Sequence, residues 1–158
     1  MKKKYNVKGV NGNILIDFTE EAVENIDDAN GSLVIPYYKG NIVMTYHLKR
    51  KGWEFPAGKK EEGETIVECA LRETYEETGA ILTNIKPLGY YLVKNEQHEF
   101  KIAIFIGQVN EFETKPRWSE TDLVKLFDEL PENISYNDDV YEIVLNYIRR
   151  FKLDRAIT

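Results

Sequence analysis

The chain has 158 residues, enough for one domain with a sizeable core, and its 42% hydrophobic and 30% charged content is typical of a globular rather than a disordered protein. Its net charge of −6 argues against a general nucleic-acid or membrane-surface binder, so an anionic substrate would need a local basic patch or a metal ion. The single cysteine, Cys69, cannot form an internal disulfide, and no long apolar run follows the basic start of the chain. We therefore expect a cytoplasmic protein that does not insert into a membrane.

Alternating apolar residues predict the β-strands of the chain. In chain order, these strand regions are residues 5–18, 32–38, 41–47, 53–55, 81–93, 100–109 and 123–127. The first region contains the pair Asn11-Gly12, which indicates a tight hairpin turn. The second contains Pro36, which would limit that strand to an edge position or a bulge, because proline has no N–H to donate. The acidic segment 19–31 is predicted to be a surface connection, and residues 56–64 are predicted to be a loop.

Two segments have the residue spacing of amphipathic helices. In residues 65–78, Thr65 can cap the N terminus with Glu68 as its capping-box partner, and Gly79 can end the helix. The residues of this helix that are predicted to face the core are Val67, Leu71, Thr74, Tyr75 and Thr78. The second helix is predicted over residues 138–151, with Val140, Ile143, Val144, Tyr147 and Ile148 facing inward. Strands and helices in this order predict an α/β fold in which a mixed sheet lies between helices.

The stretch RETYEETGA, residues 72–80, places three glutamates on one side of the first helix. Glu73, Glu76 and Glu77 are three and four positions apart, so their side chains project in similar directions. At a separation of about 6 Å and an effective dielectric of about 20, each pair would repel by up to roughly 3 kcal/mol. Either this face is simply solvated, or a cation lies on it. Carboxylate oxygens are the ligands that Mg²⁺ and Mn²⁺ prefer, so these glutamates are a candidate metal site.

The residues around the glutamates form a longer pattern of fixed spacing. Within WEFPAGKKEEGETIVECALRETYEETGA, the fixed positions are Gly58, Glu64, Arg72, Glu73, Glu76, Glu77 and Gly79. This pattern resembles the Nudix box, G-x5-E-x7-R-E-U-x-E-E-x-G-U, in which U is a bulky aliphatic residue. The chain departs from the box at the two U positions, which hold the smaller residues Thr74 and Ala80. The box covers residues 58–80, and the resemblance leads us to expect a single Nudix hydrolase domain over residues 1–158.

The resemblance implies a fold, a cofactor and roles for the residues of the box. The fold would be the α/β/α sandwich of Nudix hydrolases, and the cofactor would be Mg²⁺, with Mn²⁺ as a substitute. Glu73, Glu76 and Glu77 would hold the metal and act in catalysis. Gly58 would let the backbone turn and present its carbonyl oxygen to the metal. Arg72 would clamp a carboxylate of the box, because its guanidinium can bind one bidentately.

Further candidate site residues lie outside the box. Lys49 and Arg50 are candidates for binding substrate phosphates, although a solvated basic turn explains their charge equally well. Many Nudix hydrolases use another glutamate, from a downstream loop, as a metal ligand or base. By resemblance, Glu120 is the candidate for that role here, with Glu111 and Glu113 as competitors.

The choice of substrate depends on Asn137. In MutT-like nucleotide hydrolases a similarly placed asparagine reads the edge of a purine, although asparagine is also a preferred helix N-cap. By resemblance, the reaction would be hydrolysis of a nucleoside triphosphate, such as 8-oxo-dGTP, to nucleoside monophosphate and pyrophosphate. The alternatives are pyrophosphate removal from an RNA 5′ end, hydrolysis of another nucleoside-diphosphate-linked substrate, and a nucleotide-sensing module without enzymatic activity.

Overall fold

A computed structural model describes residues 2–114, 121–136 and 138–157 of the chain. Its strands are β1 (Lys4–Gly9), β2 (Gly12–Asp17), β3 (Gly31–Tyr38), β4 (Asn41–His47), β5 (Gly52–Glu54), β6 (Ala57–Lys59), β7 (Ala80–Lys94), β8 (Glu99–Phe112) and β9 (Thr121–Phe127). Its helices are α1 (Glu20–Val23), α2 (Ile66–Thr78) and α3 (Val140–Arg150), followed by a short 3₁₀ helix, Leu153–Ala156. Within these residues, no helix has both the length and the apolar character needed to cross a membrane.

The strands form one mixed sheet. Its order is β1-β2-β7-β8-β3-β4-β5, while β6 pairs with β3 and β9 pairs with β4 outside this path. β3 and β8 run parallel, whereas the other neighbouring strands run antiparallel. The prediction of a mixed sheet is therefore confirmed. The predicted loop at residues 56–64 is wrong in its first part, because β6 lies there. This strand is too short for alternation to reveal, and it is held in place by its pairing with β3.

Alternate residues of the central strands face opposite layers of the protein. Leu33 and Ile35 of β3 pack in one core cluster with α3, whereas Val34 packs in another cluster with α2. Helices therefore cover both faces of the sheet, which confirms the predicted α/β/α arrangement. The predicted inward residues of α3 are buried or packed against the core, and Tyr141 and Leu145 join them.

Helix α2 has the predicted caps, and the predicted burial of Thr74 and Thr78 is confirmed, but the rest of its buried face differs from the prediction. Thr65 Oγ1 accepts from the Glu68 N–H at 3.1 Å, Glu68 Oε1 accepts from the Thr65 N–H at 2.9 Å, and Gly79 ends the helix with a φ of 75°. The prediction that Val67 and Leu71 face the core is wrong, since they are 39% and 38% exposed. The buried side chains are mostly small: Ile66, Cys69, Ala70, Thr74 and Thr78. Small side chains let a helix lie close to a sheet, and this brings the glutamates of α2 up to β6.

Pro36 lies in an inner strand, contrary to the sequence prediction. On one side β3 pairs with β8, and on the other side it pairs with β6 through residues 31–33 and with β4 through residues 37–38. The Val34 N–H points to this second side, where it donates to the carbonyl of Pro56 at 3.0 Å. The nitrogen of Pro36, two residues further on, points the same way, into the gap between the two partner strands. The missing N–H therefore breaks no ladder hydrogen bond.

Two connections also differ from the predictions. Segment 19–31 contains α1 and buries Ala22, Ile26 and Ala29, so it is part of the packed structure rather than a surface connection. Helix α3 begins at Val140 rather than at residue 138, with Asp139 at the N-cap position in the left-handed region, at a φ of 67°. The N-cap position expected for Asn137 therefore belongs to Asp139.

Candidate active site

Arg72 lies at the centre of the box and connects several parts of it. Its Nε and Nη2 donate to the two carboxylate oxygens of Glu64 at 2.6 and 3.0 Å. Its Nη1 donates to Glu73 at 2.8 Å and to Glu76 at 3.2 Å, and its Nη2 also donates to the carbonyl of Lys59 at 3.0 Å. The hydrogen bond from Arg72 lowers the pKa of Glu64 below its usual value. One guanidinium thus offsets the mutual repulsion of three box carboxylates.

Gly58 makes room for one of these carboxylates. It is the middle residue of β6, and a Cβ at this position would collide with the carboxylate of Glu73. The sequence suggested that this glycine is needed for a turn. The structure instead shows Gly58 as an extended strand residue paired with Ser32. Glycine is required here because the Glu73 carboxylate lies so close to the backbone that no side chain would fit. The Gly58 carbonyl oxygen accepts from the Cys69 thiol, 3.6 Å from its Sγ. Burial raises the pKa of Glu73, and the hydrogen bond from Arg72 opposes that rise.

The side chain of Glu77 lies against the main chain of β6. Its Oε2 accepts from the Ala57 N–H at 3.1 Å, and the Thr45 hydroxyl on β4 donates to the Glu77 carbonyl at 3.2 Å. Burial raises the pKa of Glu77 to about 9, with the neighbouring charge of Glu73 as the second cause. The ionised form of this carboxylate is therefore disfavoured in the folded protein, and a cation bound beside it would favour that form.

The basic turn after β4 places its two candidate phosphate-binding residues in different surroundings. Lys49 is exposed. Arg50 donates from Nε and Nη2 to Oε2 and Oε1 of Glu54 at 2.7 and 3.0 Å, and its guanidinium lies 5.3 Å from the ring centroid of Tyr136. The structure thus brings Arg50 to a carboxylate that sequence reasoning missed. A signal was present, because Glu54 lies in the short apolar strand WEF and a buried glutamate generally has a partner.

The box offers suitable donors for a hard divalent cation but not a ready-made cage. Among the residues that the structure describes, no three His, Cys, Asp or Glu side chains are arranged to hold a metal ion. The reason is that Glu73 and Glu76 face Arg72, whereas Glu77 faces the main chain of β6. The donor chemistry nevertheless fits Mg²⁺ or Mn²⁺, because carboxylate oxygens and the carbonyl of Gly58 are hard oxygen ligands on adjoining elements.

Two of the candidate residues, Glu120 and Asn137, lie outside the described residues. The competitors of Glu120 are both exposed near the end of β8. Of these, Glu113 donates its backbone N–H to the carbonyl of Gly79 at 2.7 Å, which places it at the C-terminal end of α2, while Glu111 pairs with Ile81 in the sheet. Both therefore lie at the end of the helix that carries the box glutamates.

Two cavities in the described structure lie apart from the box glutamates. One, of about 340 Å³, is lined by residues that include Phe18, Leu88 and Tyr147. The other, of about 530 Å³, is lined by residues that include Phe112 and Val124. Neither lining contains a carboxylate of the box, so the candidate site rests on the box itself.

The comparisons with known proteins agree on one family. A family model described as the NUDIX domain matches residues 32–141. Over 104 residues the chain is 40% identical to the putative 8-oxo-dGTP diphosphatase YtkD of Bacillus subtilis strain 168, an alignment that covers 66% of this chain and 65% of that protein. Over 60 residues it is 35% identical to the RNA pyrophosphohydrolase of Stenotrophomonas maltophilia strain K279a, covering 38% of this chain and 29% of that protein. The chain thus spans less than two thirds of the length of these relatives.

One solved structure resembles nearly the whole chain. A crystal structure of the Bacillus subtilis pyrophosphohydrolase BsRppH, in a mutant form, matches with a TM-score of 0.81 and 30% identity, and the match covers 92% of this chain and 96% of that chain. A NUDIX hydrolase from Nitrosomonas europaea matches with a TM-score of 0.54 and 22% identity over 63% of this chain and 72% of that chain. This second likeness concerns the fold alone.

Proposed function

The chain belongs to the Nudix hydrolase family, and we propose that it is a pyrophosphohydrolase that cleaves a nucleoside triphosphate into a nucleoside monophosphate and pyrophosphate. The observation that carries the proposal is the cluster around Arg72, which collects Glu64, Glu73 and Glu76 through contacts of 2.6 to 3.2 Å. Glu77 adds a further carboxylate next to this cluster. A polyphosphate would be repelled by so many carboxylates unless a cation bridged them, and this is the arrangement that a metal-dependent phosphoanhydride hydrolase needs.

Each residue of the cluster has a proposed task. Glu73, Glu76 and Glu77 would hold a divalent cation, Mg²⁺ or Mn²⁺, which when bound supplies positive charge to the phosphate oxygens and lowers the pKa of water. Arg72 keeps Glu73 and Glu76 close together before binding, and the N–H of Ala57 holds the Glu77 carboxylate at the edge of β6. In the overall reaction, water adds to a phosphorus atom, the bond from that phosphorus to the pyrophosphate oxygen breaks, and a proton is released.

The proposed substrate is a purine nucleoside triphosphate such as 8-oxo-dGTP. The similarity to a protein named putative 8-oxo-dGTP diphosphatase supports this choice. The proposal is tested by incubating the purified protein and Mg²⁺ with 8-oxo-dGTP, dGTP, dCTP and ADP-ribose in parallel, followed by ion-exchange separation of the products. We expect nucleoside monophosphate and pyrophosphate, with the highest kcat/KM for 8-oxo-dGTP. Release of inorganic phosphate alone, or no turnover of any triphosphate, would contradict the proposal.

A second candidate substrate, the 5′-triphosphate end of RNA, is favoured by one surface. Phe100, at the start of β8, is 39% exposed, with Lys59 Nζ 6.0 Å and the His98 ring 5.8 Å from its ring centroid. Lys59 directly follows Gly58, and its carbonyl accepts from Arg72 at 3.0 Å, so this aromatic surface adjoins the box. Exposed aromatic rings beside cations stack the bases of single-stranded nucleic acids. A relative named RNA pyrophosphohydrolase supports the same candidate.

Strand β8 offers a matched control for testing this candidate. Phe112, near its other end, is 38% exposed and packs edge-on against Tyr38. With a 5′-triphosphorylated oligoribonucleotide, we expect Phe100→Ala to lower kcat/KM by about 5- to 150-fold, since stacking one base contributes roughly 1–3 kcal/mol. Phe112→Ala should change it less than about twofold, and with free GTP both variants should match the wild type. Equal effects of the two variants on the RNA substrate would reject the RNA candidate in favour of the free nucleotide.

A further inference from the structure

The turn between β4 and β5 contains an ion pair to which the proposed mechanism gives no task. Nε and Nη2 of Arg50 contact Oε2 and Oε1 of Glu54 at 2.7 and 3.0 Å, so a planar guanidinium and a planar carboxylate meet in a fork. The side chain of Glu54 is 9% exposed, whereas that of Arg50 is 44% exposed. The guanidinium also lies 5.3 Å from the ring of Tyr136, which meets the ring of Tyr141 edge-on at 6.5 Å. Arg50 therefore connects a buried carboxylate to the segment that leads into α3.

This ion pair lies close to Glu77. Thr45, whose hydroxyl donates to the Glu77 carbonyl at 3.2 Å, is directly opposite Glu54 in the β4–β5 ladder. Burial and the charge of Glu73 dominate the raised pKa of Glu77, but Glu54 also raises it and Arg50 lowers it, as expected for charges nearby. A carboxylate outside the box therefore lies on the strand next to the one that contacts Glu77.

We propose that Arg50 is a positioning residue. Its guanidinium neutralises the charge of the Glu54 carboxylate near Glu77, and so prevents Glu54 from competing with the box glutamates for the divalent cation. The proposal follows from ligand chemistry, because the Glu54 carboxylate is the same kind of hard donor as Glu73, Glu76 and Glu77. It differs from these three proposed ligands in that both of its oxygens are bound by one arginine. The inference rests on the proposed function. It replaces the direct phosphate contact that the sequence suggested for Arg50.

A double-mutant cycle tests the proposal. Arg50→Gln, Glu54→Gln and the double variant are compared with the wild type in kcat and KM for the best nucleoside triphosphate, and in Mn²⁺ affinity of the nucleotide-free protein by calorimetry. Arg50→Gln should lower kcat about tenfold or more with KM unchanged and Mn²⁺ binding no weaker, because Glu54 is released as an extra ligand. Glu54→Gln should weaken Mn²⁺ binding about tenfold, because the charge of Arg50 is no longer neutralised. The double variant should recover kcat to within about threefold of the wild type, since the two charges are removed together.

The chain offers a matched control for the loss of an ion pair. Lys101 contacts Asp28 at 2.7 Å and lies 4.5 Å from the ring of Tyr90, so it combines an ion pair with a ring contact as Arg50 does. Lys101→Gln should change kcat and Mn²⁺ affinity by less than about twofold. Arg50→Lys, which keeps the charge but loses the fork, should show a smaller version of the Arg50→Gln effect, and it replaces that variant if Arg50→Gln does not fold.

Two results would overturn the proposal. A rise in KM that is equal in Arg50→Gln and in the double variant, without recovery of kcat, would show that Arg50 binds a phosphate directly. Equal Mn²⁺ affinities across the cycle would show that Arg50 and Glu54 are too weakly coupled to the metal site to position its ligands. A failure of the proposed function can be distinguished from a failure of this proposal. In the first case the wild type would hydrolyse no triphosphate, while the Mn²⁺ titrations would still measure the effect of the ion pair on metal binding.

Discussion

Among the residues that the structure describes, Arg72 and Arg50 each bind a glutamate bidentately, and their surroundings differ. Arg72 lies within α2 and spreads its donors over three box carboxylates and the carbonyl of Lys59. Arg50 lies in a turn and places two donors on the single carboxylate of Glu54. The same bidentate contact therefore serves two purposes. Arg72 gathers carboxylates where a cation could bridge them, whereas Arg50 keeps the Glu54 carboxylate away from the proposed metal ligands.

The largest expected effect is that of Glu77→Gln on turnover. The amide keeps the shape of the side chain but removes an anionic ligand from the gathered cluster. We expect kcat to fall by about 10²- to 10³-fold or more, the range typical of losing one group that stabilises transition-state charge. Steady-state kinetics at saturating Mg²⁺, with circular dichroism as the control for folding, measures this. A variant with near wild-type kcat would remove Glu77 from the proposed metal ligands.

Removal of the metal should have an effect of similar size on the wild type. Because the carboxylates gathered by Arg72 would repel the substrate phosphates, activity should disappear in excess EDTA and return with Mg²⁺ or Mn²⁺. The hydrolysis rate is measured before chelation, after chelation and after restoration of the metal. Full activity in the chelated sample would contradict a metal-dependent mechanism.

The two arginines should also differ in their contribution to stability. Arg72→Gln leaves the three box carboxylates Glu64, Glu73 and Glu76 without their shared cation and should lower the free energy of unfolding by about 3–5 kcal/mol. Arg50→Gln removes the fork to Glu54, and the Arg50 side chain is 44% exposed against 21% for Arg72, so water screens more of its interactions. We expect a loss of about 1–2 kcal/mol there. Urea unfolding of both variants gives the comparison, and equal losses would contradict the distinction between the two regions.

A smaller effect concerns the pH dependence of stability near Glu77. Burial raises the pKa of Glu77 from 4.5 to about 9, so the folded protein binds this proton more tightly than the unfolded chain does. In metal-free buffer, the Glu77 contribution to the free energy of unfolding should therefore fall as the pH rises from about 4.5 to about 9. The change should be smaller than the Arg72 effect, because water and side chains relax around an ionising carboxylate.

Glu77→Gln is the matched comparison for this pH dependence. The glutamine side chain has no titrating carboxyl group. Urea unfolding curves of this variant across the same pH range should therefore show a flatter dependence of stability on pH than those of the wild type. Saturating Mg²⁺ should flatten the wild-type profile in the same way, since the cation favours the ionised carboxylate. Identical profiles for the variant and the wild type would show that Glu77 does not titrate differently in the folded and unfolded states.

Helix α2 illustrates how far the sequence predicts the fold. Its caps at Thr65 and Gly79 depend on contacts within a few residues, and the structure has them as predicted. Its buried face depends on the partner surface, and here the small residues pack on the sheet while Val67 and Leu71 remain more than a third exposed. The prediction for Pro36 was wrong for a similar reason. The gap that accommodates this proline lies between β6 and β4, and it exists only after both of these strands have paired with the same side of β3.

The sequence by itself determined the Nudix resemblance, the gathered glutamates and their arginine, because Arg72 reaches Glu73 and Glu76 one and four positions away on the same helix. Only the tertiary structure decided that Glu54 and its arginine lie near Glu77, since these residues come from separate elements that sheet pairing and helix packing bring together. The tertiary structure also decided the raised pKa of Glu77, because burial depends on what surrounds a carboxylate and not on the residues next to it in the chain.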